Sequence, residues 1–348
     1  ARPWAQYLEQ NPLKATGQGD DRWDDRLDDP GPDGRAAILA VHDGWEAELD
    51  GFVGLELSVE DQVTLGTIEF VIERIRRGHE LRLWHFEAID ALEGPQTFVA
   101  DLARLQRGDD AEKLRKLIAR LQAYPSWMEA HRANLAEGVA AGRMAAPAVV
   151  ERCLAQTQRL VETPAEQHPI VLVHGDIDDG ARALLVAAVE SHVLPALRVW
   201  LEMLEDYVRH VRAGDGVCHL ADGDQLYRHY IYSWTTVAED PQAVHQYGLE
   251  RLDHIGRREL GIAAELGFED VASLRAHHEA SPENHVTDPA EMVVMARELV
   301  ARAEALIPVG GKPADQRTTE TFVIRELGEY QLLEKLGEGG MGAVYKAR

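Results

Sequence analysis

The chain has 348 residues, of which 60 are Asp or Glu and 36 are Lys or Arg, giving a net charge of −24 with histidine neutral. That acidity argues against a general binder of nucleic-acid phosphate or anionic lipid, since both need a basic face to displace counterions, and leaves room only for local basic patches. With 45% hydrophobic residues the sequence can bury a sizeable core, so the charge belongs to a globular surface, and two cysteines, Cys153 and Cys218, allow one bridge but neither a disulfide framework nor a four-thiolate metal cluster.

The first residue is Ala1, and no charged segment leading into an apolar one follows it, so no signal peptide can be read. Residues 17–34 carry Asp20, Asp21, Asp24, Asp25, Asp28, Asp29 and Asp33 around Trp23, Pro30 and Pro32. The glycine and closing glutamate of a calcium-binding EF-hand are missing, so the segment reads as a solvated loop with helix caps. Helical periodicity then dominates to about residue 307. Ile38, Val41, Trp45 and Leu49 share one face of a helix over residues 35–49. Ser58 with Asp61 forms a capping box for a helix whose buried stripe is Ile68, Val71, Ile72 and Ile75. The longest candidate spans residues 179–212, with Leu194, Leu197, Leu201, Leu204, Val208 and Val211 at alternating spacings of three and four. Wholly apolar runs such as residues 183–189 fall short of the roughly 20 residues that cross a bilayer, so no membrane segment is expected. Asp240–Pro241 and Asp288–Pro289 each place a capping carboxylate before a proline suited to the first helical turn. The expected fold class is mainly α, a multi-helix body with a short β-hairpin at the C-terminus.

The hairpin expectation comes from residues 330–348. After a Gly-, Pro- and Thr-rich stretch that reads as a linker, the sequence YQLLEKLGEGGMGAVYKAR places Gly337, Gly339 and Gly342 in a G-x-G-x-x-G arrangement between two strand-like runs. No helix opens after the third glycine, which disfavours a dinucleotide fold. The segment resembles the opening of a bacterial serine/threonine protein kinase domain, where such a loop covers ATP phosphates with backbone N–H groups. The resemblance implies a nucleotide-binding role for Leu336, Gly337, Gly339, Gly342 and Val344, ATP and Mg as ligands of a complete kinase, and a cytoplasmic location for this segment. The phosphate-pairing lysine, the catalytic-loop aspartate and the D-F-G element are absent; Lys346 reads as an exposed strand residue.

The helical body has its own resemblance. Asn11, Pro12 and Gly17 before the Asp-rich loop, then Arg120, Tyr124 and Pro125, Gly138 and Gly142, Leu194 and Pro195, and finally Tyr227, Tyr230, Trp234, Pro241, His245 and Gly248 form an ordered succession. It is similar to the amino-terminal half of the bacterial family named domain of unknown function 885, over about residues 4 to 307. That family resembles a distant branch of thermolysin-type zinc peptidases, which carry an H-E-x-x-H helix: two histidines one turn apart hold zinc and the glutamate activates its water. Neither His79–Glu80 with His85 nor His278–Glu279 with His285 matches that spacing. The expected organisation is therefore a peptidase-like helical half-domain without its metal over residues 1–307, a linker over 308–327 and a truncated kinase start over 328–348. No cofactor is expected in the chain itself, zinc belonging to a complete peptidase-like relative. The implied partner is a peptide or small molecule in a helical cleft. Tyr227, Tyr230, Thr235, Thr236 and His245 are the candidate lining, the alternative being capping and interhelical hydrogen bonding by the Thr and Tyr residues and a half-exposed histidine at His245. His277, His278 and His285 read as a solvated loop before a metal site. An N-terminal sensor region of a bacterial kinase, or an accidental join of two genes, are the competing readings of the whole.

Overall fold

The computed structural model describes residues 2–174, 177–285 and 288–306, and the backbone of residues 326–327, 330–339 and 342–347. The described chain is mainly helical. Its contacts divide it into two units, Ala1–Glu239 and Asp240–Arg348, so the body read as one helical domain over residues 1–307 separates after Glu239.

The first unit comprises α1 (Arg2–Gln10), α2 (Pro12–Gly17), α3 (Pro32–Leu49), α4 (Val59–Glu80), α5 (Phe98–Leu105), α6 (Ala111–Ala140), α7 (Pro147–Glu162), α8 (Pro169–Leu172), α9 (Asp179–Ala188), α10 (Leu194–Tyr207) and α11 (Gly223–Thr235). Their starts follow local chemistry. The Ser58 hydroxyl accepts from the Asp61 N–H at 3.1 Å ahead of α4, and Asp110 accepts from the Lys113 N–H at 2.8 Å ahead of α6. Prolines occupy the first turns of α2, α3, α7 and α8, where a missing N–H costs nothing. Helix α6 is the axis of the unit: Leu114, Leu117, Leu121, Tyr124, Met128 and Leu135 are buried along it, and α9 and α10 pack against it. Its last turn explains two glycines. A Cβ on Gly138 would lie 2.2 Å from the His85 carbonyl oxygen, and Gly142 takes a φ of +70° as the chain reverses.

The long helix departs from its expected form. A π-helical turn, Val189–Val193, separates α9 from α10, immediately before the Leu194–Pro195 step. Proline lacks an N–H and its ring crowds the carbonyl four residues back, and one extra residue in the turn accommodates both. The buried face of α10 is accordingly Leu197, Trp200, Leu204 and Tyr207, while Leu201 is half-buried and Val208 exposed. The 179–210 stretch is long and apolar enough to span a bilayer by length and composition, yet 44% of its most apolar window is buried among the helices around it. Of the stripe expected on α4, Ile72 alone is fully buried and Ile68, Val71 and Ile75 are half-buried.

The Asp-rich segment is more than a solvated loop. Arg120 of α6 is fully buried and reaches across to it. Its Nε donates to the Arg26 carbonyl at 2.7 Å, one Nη to the Trp23 carbonyl at 2.9 Å and the Pro12 carbonyl at 3.1 Å, and the other to Gln106 Oε1 at 2.8 Å. Gln106 returns a bond to the Asp24 carbonyl at 2.9 Å, and the buried Asp24 carboxylate accepts from Thr16 at 2.6 Å. Burial pushes the Arg120 guanidinium down to about 10, still charged at neutral pH.

The second unit contains α12 (Pro241–Glu265), α13 (Val271–Ala280) and α14 (Pro289–Leu306). Asp240 caps α12 and Asp288 accepts from the Ala290 N–H at 2.9 Å, as their sequence contexts require. His277 and His278 lie on α13 instead of in a loop, because Asp270 caps a new helix through the Ser273 N–H at 2.7 Å. Both cysteines are free thiols, Cys153 buried in the core and Cys218 exposed. Most of the expected linker lies outside the described residues, as do the side chains of Leu336, Gly337, Gly339, Gly342 and Val344.

Candidate functional site

A cavity of about 650 Å³ opens in the first unit. Six elements build it: α1 supplies Tyr7, the Asp-rich loop Asp28 and Asp29, α3 Arg35 and His42, α4 Arg74 and His79, α6 Trp127, His131 and Asn134, and α11 His229, Tyr230, Ser233 and Trp234. A segment after α4 completes it with Leu83, Trp84, Glu87 and Ala88. Arg82, in a left-handed conformation with φ 49°, turns the chain out of α4 and into a short 3-10 turn, Leu83–His85.

That turn is anchored from beneath. His85 is buried, its Nε2 lies 3.1 Å from Glu137 Oε1, and the Trp84 indole N–H donates to the same carboxylate at 3.3 Å. The hydrogen bond from His85, and then that from Trp84, hold the Glu137 carboxyl below the usual range. The Arg35 guanidinium lies over the Trp84 ring, 4.2 Å from its centroid. Arg35 also donates to Asn134 Oδ1 at 2.6 Å and the Pro30 carbonyl at 2.9 Å, tying α3, α6 and the Asp-rich loop together. Further along α6 the Trp127 indole donates to Asp28 at 3.2 Å and meets His131 edge-on with 4.4 Å between centroids.

Poor solvation in the cavity shifts several of its groups away from their charged forms. Glu87 is reachable by solvent but enclosed by protein on most sides, and this poor solvation raises its carboxyl to about 7 against the opposing pull of Arg74. Asp28 is raised for the same reason, despite its bond from Trp127. Burial pushes His131 down to about 4. His42 and His229 are lowered too, chiefly by burial, with nearby arginines adding to it. A carboxyl poised near neutrality beside neutral imidazoles can exchange protons with a bound molecule.

Of the candidate lining read from the sequence, Tyr230 lies in this cavity, where burial raises its phenol above the usual range. Tyr227 is on the same helix but outside the lining and exposed. Thr235 donates back to the Ile231 carbonyl at 2.7 Å, and Thr236, with a φ of 63°, ends α11. His245 is exposed on α12 of the second unit. The groups that build the cavity are spread from Asp28 to Trp234, too far apart for any spacing rule. The one local signal was the crowding of His79, Trp84 and His85 around Glu80 and Glu87, which sequence reading considered only as a broken zinc motif. Among the described residues no group of three or more His, Cys, Asp or Glu is placed to hold a metal ion.

Comparison with known proteins places this sequence in a family. The model of the bacterial proteins of unknown function DUF885 matches residues 12–331, most of the chain. The chain belongs to that family. Its match runs on from the helical body through the segment expected to be a linker and stops before the glycine triplet. Among solved structures, a "putative lipoprotein" from Colwellia psychrerythraea superposes with a TM-score of 0.70 at 16% identity, covering 87% of this chain and 57% of that one. A protein of unknown function from Shewanella oneidensis, described in the same words, gives a TM-score of 0.57 at 15% identity, covering 87% and 56%. These likenesses show a shared helical fold, and the chain spans a little over half the length of either solved relative. No curated protein matches the chain.

Proposed function

We propose that the helical body forms the wall of a cleft that binds a peptide or small organic molecule, within a larger hydrolase-like protein whose reacting centre lies outside this chain. The observation carrying this reading is the cavity of about 650 Å³, in which Trp84, Trp127, Trp234 and Tyr230 supply aromatic faces and a few charged groups converge. The carboxyl of Glu87, at about 7, adds a proton-exchanging group suited to acyl or amide chemistry nearby. The greater length of the two solved relatives supports a missing complement, the place the zinc-peptidase-like resemblance would assign to its metal helix. The lipoprotein description of those relatives supports a location outside the cytoplasm for this body.

The test uses the protein's own chromophores: all seven tryptophans fall within residues 1–239 and three line the cavity. Titration with a panel of tripeptides, free and blocked at either end, is expected to give a saturable fluorescence change that Ser233→Trp, by filling the cavity, removes. No saturable change with any member of the panel would refute the reading.

A second reading attaches to the C-terminal segment alone. It is the start of a kinase nucleotide-binding hairpin, with Leu336, Gly337, Gly339, Gly342 and Val344 positioned to cover ATP, and the helical body acting as a sensor region of the parent kinase. The glycine triplet between two strand-like runs supports it, as does the end of the family match at residue 331, ahead of the glycines. The coding sequence beyond Arg348 decides it: an in-frame strand lysine, H-R-D and D-F-G support a kinase, and their absence removes the reading.

A further inference from the structure

We propose that the cleft selects a zwitterion, such as a free amino acid or short unblocked peptide, with Glu87 receiving the ammonium end and Arg74 the carboxylate end. This rests on the cleft reading above and adds the chemistry of its ligand.

Glu87 and Arg74 line one cavity, Arg74 from α4 and Glu87 from the segment that the Leu83–His85 turn brings back against α4. Among the described residues neither is hydrogen-bonded or ion-paired. Of the other charged groups of the lining, Arg35 is committed to Asn134, the Pro30 carbonyl and the face of Trp84, Asp28 to the Trp127 indole, and Asp29 to the Gly31 N–H at 2.8 Å, while Glu93 is exposed to solvent on the segment before α5. The neighbouring arginines on α4 are committed as well. Arg76 is held by Asp43 and Glu46, each at 2.6 Å, and Arg77 by Glu73. Arg74 alone among these three faces the cavity, where its charge acts on Glu87 and on the rings of His42 and His229.

An uncommitted guanidinium and an uncommitted carboxyl in one aromatic-walled space constrain the occupant. A ligand with only an amine or only an acid would shield one of them from water without pairing it, a cost that selects against such ligands. A molecule carrying both ends pairs both groups and adds no net charge, while Trp84, Trp127 and Tyr230 cover its apolar middle.

The experiment compares trialanine, N-acetyl-trialanine and trialanine amide by calorimetric titration of the full chain near neutral pH. Trialanine is expected to bind about tenfold more tightly than either blocked form, the loss of one charge-assisted pair. Glu87→Gln is expected to remove the penalty for acetylation and keep that for amidation, and Arg74→Gln the reverse. Equal affinity for free and blocked peptides on the wild-type chain overturns the zwitterion and leaves the cleft reading standing. No binding by any of the three overturns both. The wild-type comparison is decisive even if a variant fails to fold.

Discussion

Replacing Arg120 by methionine tests whether the Asp-rich segment is held from within. Methionine keeps most of the side-chain length and removes every donor. The carbonyls of Pro12, Trp23 and Arg26 and the amide oxygen of Gln106 each lose a partner now 2.7 to 3.1 Å away. A fully buried orphan acceptor costs about 1–3 kcal/mol, and turn carbonyls recover part of that from water as the loop relaxes. The expected loss is about 4 kcal/mol, in the range for breaking a buried charged network. For a unit of this size that lowers Tm by roughly 10 °C. Urea unfolding followed by tryptophan fluorescence reads the first unit alone, because every tryptophan lies in it. Arg22 and Arg26 provide a second readout, since a released loop becomes cleavable by trypsin at these positions. A shift below about 1 kcal/mol together with a trypsin-resistant loop would show that the segment is not held by Arg120.

Burial holds His168 down to about 4, and both its ring nitrogens are unpartnered. The unfolded chain, with histidine near 6.5, takes up the proton first, so this histidine withdraws stability as pH falls from about 6.5 toward 4, by up to about 3 kcal/mol. His168→Phe is expected to flatten the wild-type loss of stability between pH 7 and 5; identical pH profiles for the two proteins count against this account. Glu87 carries the opposite sign. Its folded carboxyl at about 7 exceeds the unfolded value of 4.5, so its ionisation penalises the fold increasingly as pH rises through that window. Glu87→Gln is expected to be more stable than wild type at pH 8 by about 1 kcal/mol after solvent screening, with the gap closing below pH 4.5, and a pH-independent gap would contradict it. Ser58→Ala removes the cap of α4 and is expected to cost about 1 kcal/mol in chemical denaturation, whereas Ser58→Asp is expected to be near neutral.

Helix starts were the most legible part of the sequence. Ser58, Asp240 and Asp288 act within three residues of themselves, and local rules suffice there. Burial was less legible because it depends on what arrives from elsewhere. The stripe read on α10 shared Leu197 and Leu204 with the real one but chose Leu201 and Val208 over Trp200 and Tyr207, since periodicity alone cannot say which of two adjoining faces meets α6 and α7. Asp24 illustrates the same limit: its neighbours in sequence are acidic and solvated, and only the distant Arg120, Gln106 and Thr16 make it an interior group. The cavity was least legible. Tyr230 was found through its place in an ordered family pattern, while Glu87, Arg74 and Trp127 have no meaning until α4, α6 and α11 stand beside one another.

The π-helical turn at Val189–Val193 bears on how the family can change in length. Such a turn is the footprint of one residue added to a regular helix, with the strain confined to a single loop of backbone. Removing one residue there would leave both flanking faces aimed as they are, except that Pro195 would then sit in an ordinary α-helical ladder and clash with it. Insertion and proline are thus bound to one another as evolutionary events. Relatives one residue shorter at this point should lack the proline, and a deletion made in this chain should keep the fold only when Pro195→Ala accompanies it.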